Sequence, residues 1–278
     1  MFSVVIPAHN EGAVIERTLR VLLEGAEPGE LEVVVVANGC SDDTADRARA
    51  FGDPVRVIDT PEGGKPNALN LGDAEATAFP RLYSDADVRM DIRSARAAAD
   101  RLRSGPELLL SPRMDVDLTD RPWTVRAYYR VWMDLPYAKH KIGGVFGMSA
   151  EGRGRFEDWP DVIADDTFAS VQFAPDEQCV LQDASFLMVP PAALKHLVHI
   201  EVRRRAGSGE LHQRYPELMA KRAAEQKSAL RSKFTSPGLW PALAVYLYVK
   251  FAARLKSRLR RLSGKGKQWN RDESSRRG

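Results

Sequence analysis

Asp85 and Asp87 stand one small residue apart in Ser84-Asp-Ala-Asp87, directly after the apolar pair Leu82–Tyr83. Two carboxylates at the end of a strand can face one divalent cation. Hard Mg2+ or Mn2+ takes a few carboxylates and fills its remaining positions with phosphate oxygens and water. Alone, the tripeptide fits a polar turn better, since Asp favours turns. Upstream, Gly63-Gly64-Lys65 offers glycines that let backbone approach a ligand and a lysine that supplies a point charge for phosphate. The spacing is not that of a P-loop. Beside the carboxylate pair it points to a diphosphate. Asp165-Asp166, before Thr167, suits the first turn of a helix and equally a general base that takes a proton from a hydroxyl. The five histidines show no metal spacing, and only His9 falls near these groups.

The elements that must position these groups alternate regularly. Phe2–Ile6, Leu31–Ala37, Val55–Asp59, Leu82–Tyr83 and Leu108–Ser111 read as short apolar strands. Helices are expected over Glu11–Leu23, Asp42–Phe51 with Ser41 as N-cap, Pro66–Ala78 and Asp91–Arg103. This alternation predicts an α/β fold with a mostly parallel sheet covered by helices on both faces. Ligands in such sheets bind beyond the carboxyl ends of the strands. The polar clusters Ala8–Glu11, Asn38–Asp43 and Ser84–Asp87 all fall at those ends. Further on, the pattern is weaker. Val125–Met133 reads as a helix, Ile142–Met148 as a glycine-rich segment, Arg203–Arg205 as a helix end entering a loop, and Ala220–Lys233 as a polar helix.

Val4-Val-Ile-Pro-Ala-His-Asn-Glu11, Ala37-Asn-Gly-Cys-Ser-Asp-Asp-Thr44, Gly64-Lys-Pro-Asn-Ala-Leu-Asn70 and Ser84-Asp-Ala-Asp-Val88 resemble, in order and spacing, the successive motifs of family 2 glycosyltransferases of the GT-A fold. The resemblance is to non-processive, bacterial-type members: the Gln-x-x-Arg-Trp motif of processive relatives is absent. It implies a Rossmann-like GT-A domain over residues 1–215, with a nucleotide-sugar-binding half (1–118) and an acceptor-binding half (119–215), then a helical basic extension (216–278). It implies that Pro7, Ala8, His9, Asn10 and Glu11 line the nucleotide pocket with Asn38, Gly39, Lys65, Asp85 and Ala86. Asn38 stands where relatives often carry an Asp that contacts the base. Asp87 and Asp85 would hold Mn2+ or Mg2+. Asp166 would be the general base, with Asp165 in place of the usual Glu. Gly144, Gly147, Arg203, Arg204 and Arg205 would contact the acceptor or the diphosphate. The activity implied is inverting, metal-dependent transfer from a nucleotide-diphosphate sugar, UDP first among the nucleotides, to an acceptor hydroxyl on a cell-envelope, lipid-linked or small molecule. Two other readings stand beside it: a sugar-phosphate nucleotidylyltransferase, against which Pro7–Glu11 counts, and a non-catalytic membrane-surface module on the same scaffold.

Composition bounds these readings. With 44% hydrophobic and 28% charged residues among 278, the chain is neither disordered nor polytopic in the membrane. Cys40 and Cys179 form no disulfide framework and no zinc spacing, which predicts free thiols in the cytoplasm. Phe2–Ile6 is too short for a signal peptide. Charge is uneven: from Pro237 to Gly278 there are 11 Lys+Arg against 2 Asp+Glu, leaving 30 against 36 in the rest. The apolar run Pro237–Val249 falls short of the ~20 residues a spanning helix needs. With Trp240, Tyr246 and Tyr248 and the cations that follow, residues 237–267 suit an amphipathic helix on an anionic inner leaflet, making the protein peripheral at the membrane's inner face. Packing against the rest of the protein suits them equally. No nucleic-acid-binding motif is present, so no nucleic-acid partner is expected.

Overall fold

The computed structural model describes residues 1–220 and 237–262. In chain order the elements are β1 (Phe2–Ala8), α1 (Ile15–Leu23), β2 (Leu31–Asn38), α2 (Thr44–Arg49), β3 (Val55–Thr60), α3 (Lys65–Glu75), β4 (Arg81–Ser84), β5 (Val88–Met90) and α4 (Ile92–Ser104). They continue as β6 (Leu109–Val116), α5 (Trp123–Trp132), α6 (Pro136–Lys139), β7 (Val145–Met148), α7 (Ala150–Arg153) and α8 (Asp165–Ser170). The last are β8 (Gln178–Met188), α9 (Leu194–Arg214), α10 (Pro216–Ala220) and α11 (Trp240–Leu262). They form two compact units. The first comprises Met1–Val116, Ile142–Asp161 and Asp165–Met188; the second comprises Asp117–Lys141, Val162–Ala164 and the chain from Val189.

The first unit is built on a sheet in the order β3-β2-β1-β4-β7-β6-β8-β5. Its first four strands are parallel. β7 then runs antiparallel to β4 and β6, β8 is parallel to β6, and β5 is antiparallel to β8. The sheet is therefore mixed, with its parallel half where the sequence alternates strand and helix. Every residue of β2 is buried, which is why it reads as a continuous apolar run. One core cluster joins Val4, Ile6, Val33 and Val35 to Leu19 of α1 and Ala95, Ala98 and Leu102 of α4. The Asp91 side chain caps α4, accepting from the Ser94 N–H at 2.8 Å.

The expected strands and first helices are present with boundaries shifted by a few residues. α1 begins at Ile15, and Asp43, not Ser41, occupies the N-cap position of α2. The glycine-rich 142–148 segment contains strand β7. Arg203–Arg205 lie in the middle of α9, a 21-residue helix that runs through Gly207-Ser-Gly209. Past Ala220, the polar helix expected to Lys233 lies outside the described residues, as do residues 263–267 of the expected membrane segment.

Two buried carboxylates tie the first unit together. Asp73 of α3 accepts from Arg81 Nη1 (2.6 Å), Tyr83 Oη (2.7 Å), Arg153 Nε (2.7 Å) and Trp159 Nε1 (2.8 Å). It thereby joins α3 to β4 and to the segment leading toward α8. Glu32 of β2 accepts from Ser3 Oγ (2.6 Å), the Ala78 N–H (3.0 Å), Thr77 Oγ1 (3.0 Å), the Thr77 N–H and Arg56. Burial pushes the Glu32 carboxyl up, but the bonds from Ser3, Thr77 and Ala78 outweigh it and hold it below the usual range.

A carboxyl depressed on folding contributes stability that is present above its unfolded pKa and is lost as pH falls through the folded one. Glu32→Gln, which leaves donors facing an amide nitrogen, is expected to cost about 1–3 kcal/mol at neutral pH. Its stability should also fall less steeply than the native chain's below about pH 5. Urea unfolding at several pH values checks this; parallel pH profiles for the two proteins would contradict it.

Candidate active site

The site is assembled where the parallel strands end. Asn10, in the left-handed region at φ 51°, accepts through Oδ1 from the Ser41 N–H at 2.7 Å. The Glu11 N–H donates to Thr44 Oγ1 at 2.7 Å, and His9 Nδ1 donates to the Asn38 carbonyl at 2.6 Å. These bonds lash the loop after β1 to the loop after β2. Gly39, at φ 57°, brings the β2 loop against Gly63: a Cβ there would meet the Gly63 Cα at 2.9 Å. Asn38 makes the third tie. Its Nδ2 donates to the Ala8 carbonyl at 2.8 Å and its Oδ1 accepts from the Gly64 N–H at 3.0 Å. Pro66 follows Lys65 into the first turn of α3, where a missing N–H costs nothing.

Lys65 therefore stands at the start of α3, directed at the acidic residues. Its Nζ lies 2.7 Å from Asp85 Oδ1 and 2.9 Å from Asp165 Oδ2. Desolvation pulls the ammonium down, but the charges of Asp165 and Asp85 outweigh it and hold its pKa above the ordinary lysine value. Asp165 is buried, and burial pushes its carboxyl up; Lys65 pulls the other way, while Asp166 and Asp85 add to the rise. Asp166, next on α8, is half-buried and accepts through Oδ1 from the Thr167 N–H at 2.6 Å. It thus sits in the first turn of a helix, where an acidic residue is favourable, and retains an accessible surface.

Ala86 is 3% exposed and belongs to the core cluster, whereas Asp85 and Asp87 on either side are half-buried. Both carboxylates therefore keep some accessible surface while the residue between them is packed inward. Ala86 and Ala8 turn their methyl groups inward, so each can offer a ligand only its backbone. Among the described residues no three His, Cys, Asp or Glu side chains come together to hold a metal. The donor set fits Mn2+ or Mg2+ only if a substrate's phosphate oxygens supply further ligands.

Gly144 acts through its backbone: its carbonyl accepts from the Asp85 N–H at 2.8 Å. Gly147 faces the core, where a Cβ would run into Leu82 and Leu102, so packing explains this glycine without an acceptor contact. Arg203–Arg205 belong to the second unit. Arg203 and Arg205 are exposed, while Arg204 lies over the Trp132 ring at 5.2 Å and 3.9 Å from Glu201. Thr44 and Asp73 support the site, though the sequence assigns Thr44 no role beyond ending a motif and gives Asp73 none. The Ser-Asp-Asp-Thr run signals a side-chain-capped turn that would have exposed Thr44; Asp73 has partners up to 86 residues away and no local signal.

Comparisons with known proteins bear on the family and the fold. The model of glycosyl transferase family 2 matches residues 3–169. The chain is 37% identical over 111 residues to glycosyltransferase AglD of Haloferax volcanii, covering 37% of this chain and 18% of that protein. It is 39% identical over 93 residues to the probable glycosyltransferase YdaM of Bacillus subtilis, covering 31% and 22%. The chain thus spans less than a quarter of either relative. Among solved structures, a mannosyltransferase of Pyrobaculum calidifontis in complex with GDP-Man and Mn2+ superposes with a TM-score of 0.66 at 20% identity, over 92% of this chain and 86% of that one. Glucosyl-3-phosphoglycerate synthase of Mycobacterium tuberculosis, in complex with Mn2+, UDP and its product, gives 0.55 at 19% identity, over 77% and 79%. The chain has the GT-A fold and belongs to glycosyl transferase family 2.

Proposed function

We propose that the chain transfers a sugar from a nucleotide-diphosphate donor to an acceptor hydroxyl by a single displacement that inverts the anomeric carbon. The observation that carries this is the convergence of Lys65, Asp85 and Asp165 where the parallel strands end. Pro7–Glu11 and Gly39 line the nucleotide side. Asp85 and Asp87 would hold Mn2+ or Mg2+, which would supply positive charge to offset the negative charge growing on the leaving diphosphate. Lys65 adds a positive charge for the same oxygens. Asp166 takes the acceptor's proton as its oxygen bonds to the anomeric carbon and the bond to the diphosphate breaks. Asp165, buried and paired with Lys65, positions that lysine. A single base implies inversion; retention through a covalent intermediate needs a second, nucleophilic carboxylate.

Asn38 bears on the nucleotide. Its amide is spent on Ala8 and Gly64 inside the protein, so base recognition passes to the neighbouring loops. A carboxylate at this position would face the Ala8 carbonyl without a proton to give it. The donor class proposed is UDP-sugar, as in the UDP-glucose complex of glucosyl-3-phosphoglycerate synthase; GDP-Man, held by the mannosyltransferase, is the competing arm of the test.

Two measurements check this reading. Incubation with UDP-, GDP- and dTDP-sugars, with nucleotide release and product anomer read by NMR, is expected to show one donor class consumed with inversion. Asp166→Asn should lower turnover about 10²–10⁴-fold with donor KM little changed. Full turnover in Asp166→Asn with loss in Asp165→Asn would contradict the assigned base. Separately, Asn38→Asp should destabilise the fold by about 1–3 kcal/mol, or roughly 2–4 °C in Tm per kcal/mol for a chain of this size. An unchanged Tm would show that the Asn38 ties carry no weight.

A further inference from the structure

Helix α11 has two apolar faces, and packing uses one. Ala242, Leu243, Tyr246, Val249 and Ala253 are buried, in a helix that packs on α5 and α9 of the same unit. Tyr246 stacks on Tyr128 at 5.4 Å between centroids, and Lys250 Nζ donates to Glu201 at 2.6 Å. Tyr246 therefore leaves the set of interfacial aromatics that the sequence pattern offers.

The other face is exposed. Leu247, Tyr248, Phe251, Leu255 and Leu259 keep 38%, 58%, 67%, 49% and 56% of their surface. At about 100° per residue these positions fall in one stripe, opposite the buried 242, 246, 249 and 253. Arg254 and Arg258 border one edge of the stripe and Lys256 the other, all exposed. From Trp240 to Leu262 there are six Lys and Arg and no Asp or Glu. A contiguous apolar patch rimmed by charge marks an interaction surface.

We propose that this face docks on the surface of an anionic lipid bilayer, with α11 lying in the plane of the interface. The inference goes beyond the transfer reaction and does not depend on it. Charge complementarity selects the occupant. The apolar stripe enters the headgroup–acyl boundary while the cations on its edges meet lipid phosphates. No described helix is long and apolar enough to cross a membrane, so the helix lies on the surface without spanning it. A second copy would set the same cationic rim against itself, with no acidic residue on the helix to pair it. Segments 221–236 and 263–278 of this chain carry 5 Lys+Arg against 1 Glu and 5 against 2 acidic residues, so they too lack the complementary charge. A nucleic acid would meet the cations and leave the stripe wet.

Sedimentation of the full chain with vesicles tests this. The native chain should co-sediment with phosphatidylcholine vesicles containing phosphatidylglycerol, and lose binding on pure phosphatidylcholine and in high salt. Phe251→Glu with Leu255→Glu should weaken binding about tenfold or more, since each buried apolar group contributes to partition. Arg254→Gln with Arg258→Gln should weaken it about 25-fold, at roughly fivefold per cation. Circular dichroism and Tm should stay native in both, because the four side chains are exposed. A native chain left in the supernatant, or a Phe251→Glu/Leu255→Glu variant that binds as well as native, would overturn the proposal. So would light scattering that shows a dimer broken by that variant, which would assign the face to a second copy. Binding to RNA unaffected by the variant, without vesicle binding, would also overturn it.

Discussion

Two carboxylates, Asp85 and Asp165, share one ammonium, that of Lys65, and much of the first unit is arranged to let them do so. Unpaired, a buried carboxylate such as Asp165 would be strongly disfavoured. With Lys65 in reach, acidic groups can gather at the strand ends without unfolding their own neighbourhood. The arrangement needs α3 held in place, and Asp73 on that helix supplies the hold by bonding Arg81, Tyr83, Arg153 and Trp159. It also needs the glycine loop before α3 fixed, which Asn38 and the close approach of Gly39 to Gly63 accomplish. The Gly144 carbonyl sets the backbone of Asp85.

What the sequence made legible follows from burial. β1 and β2 are covered on both faces, so they read as unbroken apolar runs, and the polar clusters after them could be placed at strand ends. The motif residues His9, Asn38, Lys65, Asp85 and Asp165 were legible through the resemblance to the family's motifs, which those strand ends carry in part. The second part of the sheet was not legible. β5 has three residues hidden behind Asp87, and β8 is half-exposed along most of its length. α9 is interrupted in pattern by Gly207-Ser-Gly209. Gly207 sits where a Cβ would press on Ala164 at 2.9 Å, so the glycine serves helix packing and does not end the helix. The Asp73 and Asn38 networks join residues far apart in sequence, and no periodicity reports such pairs.

The same division appears in α11. Its sequence fits a packed helix and a surface-seeking one, and the structure shows why both patterns coexist: Tyr246, Val249 and Ala253 lie on one side, Tyr248, Phe251 and Leu255 on the other. Among the described residues no three His, Cys, Asp or Glu side chains come together to hold a metal ion, so on the proposed reading Asp85 and Asp87 would hold one only together with a diphosphate. Donor and metal should consequently bind as a linked pair, each raising the affinity for the other by the same factor.

That linkage is tested most directly by electron paramagnetic resonance of Mn2+ titrated into the native chain, alone and with UDP or GDP present. The ion alone should bind weakly, one nucleoside diphosphate should tighten it about tenfold or more, and Asp87→Ala should lose that tightening. An ion held tightly without nucleotide, or an affinity indifferent to every nucleotide, would contradict a site completed by the donor's phosphates.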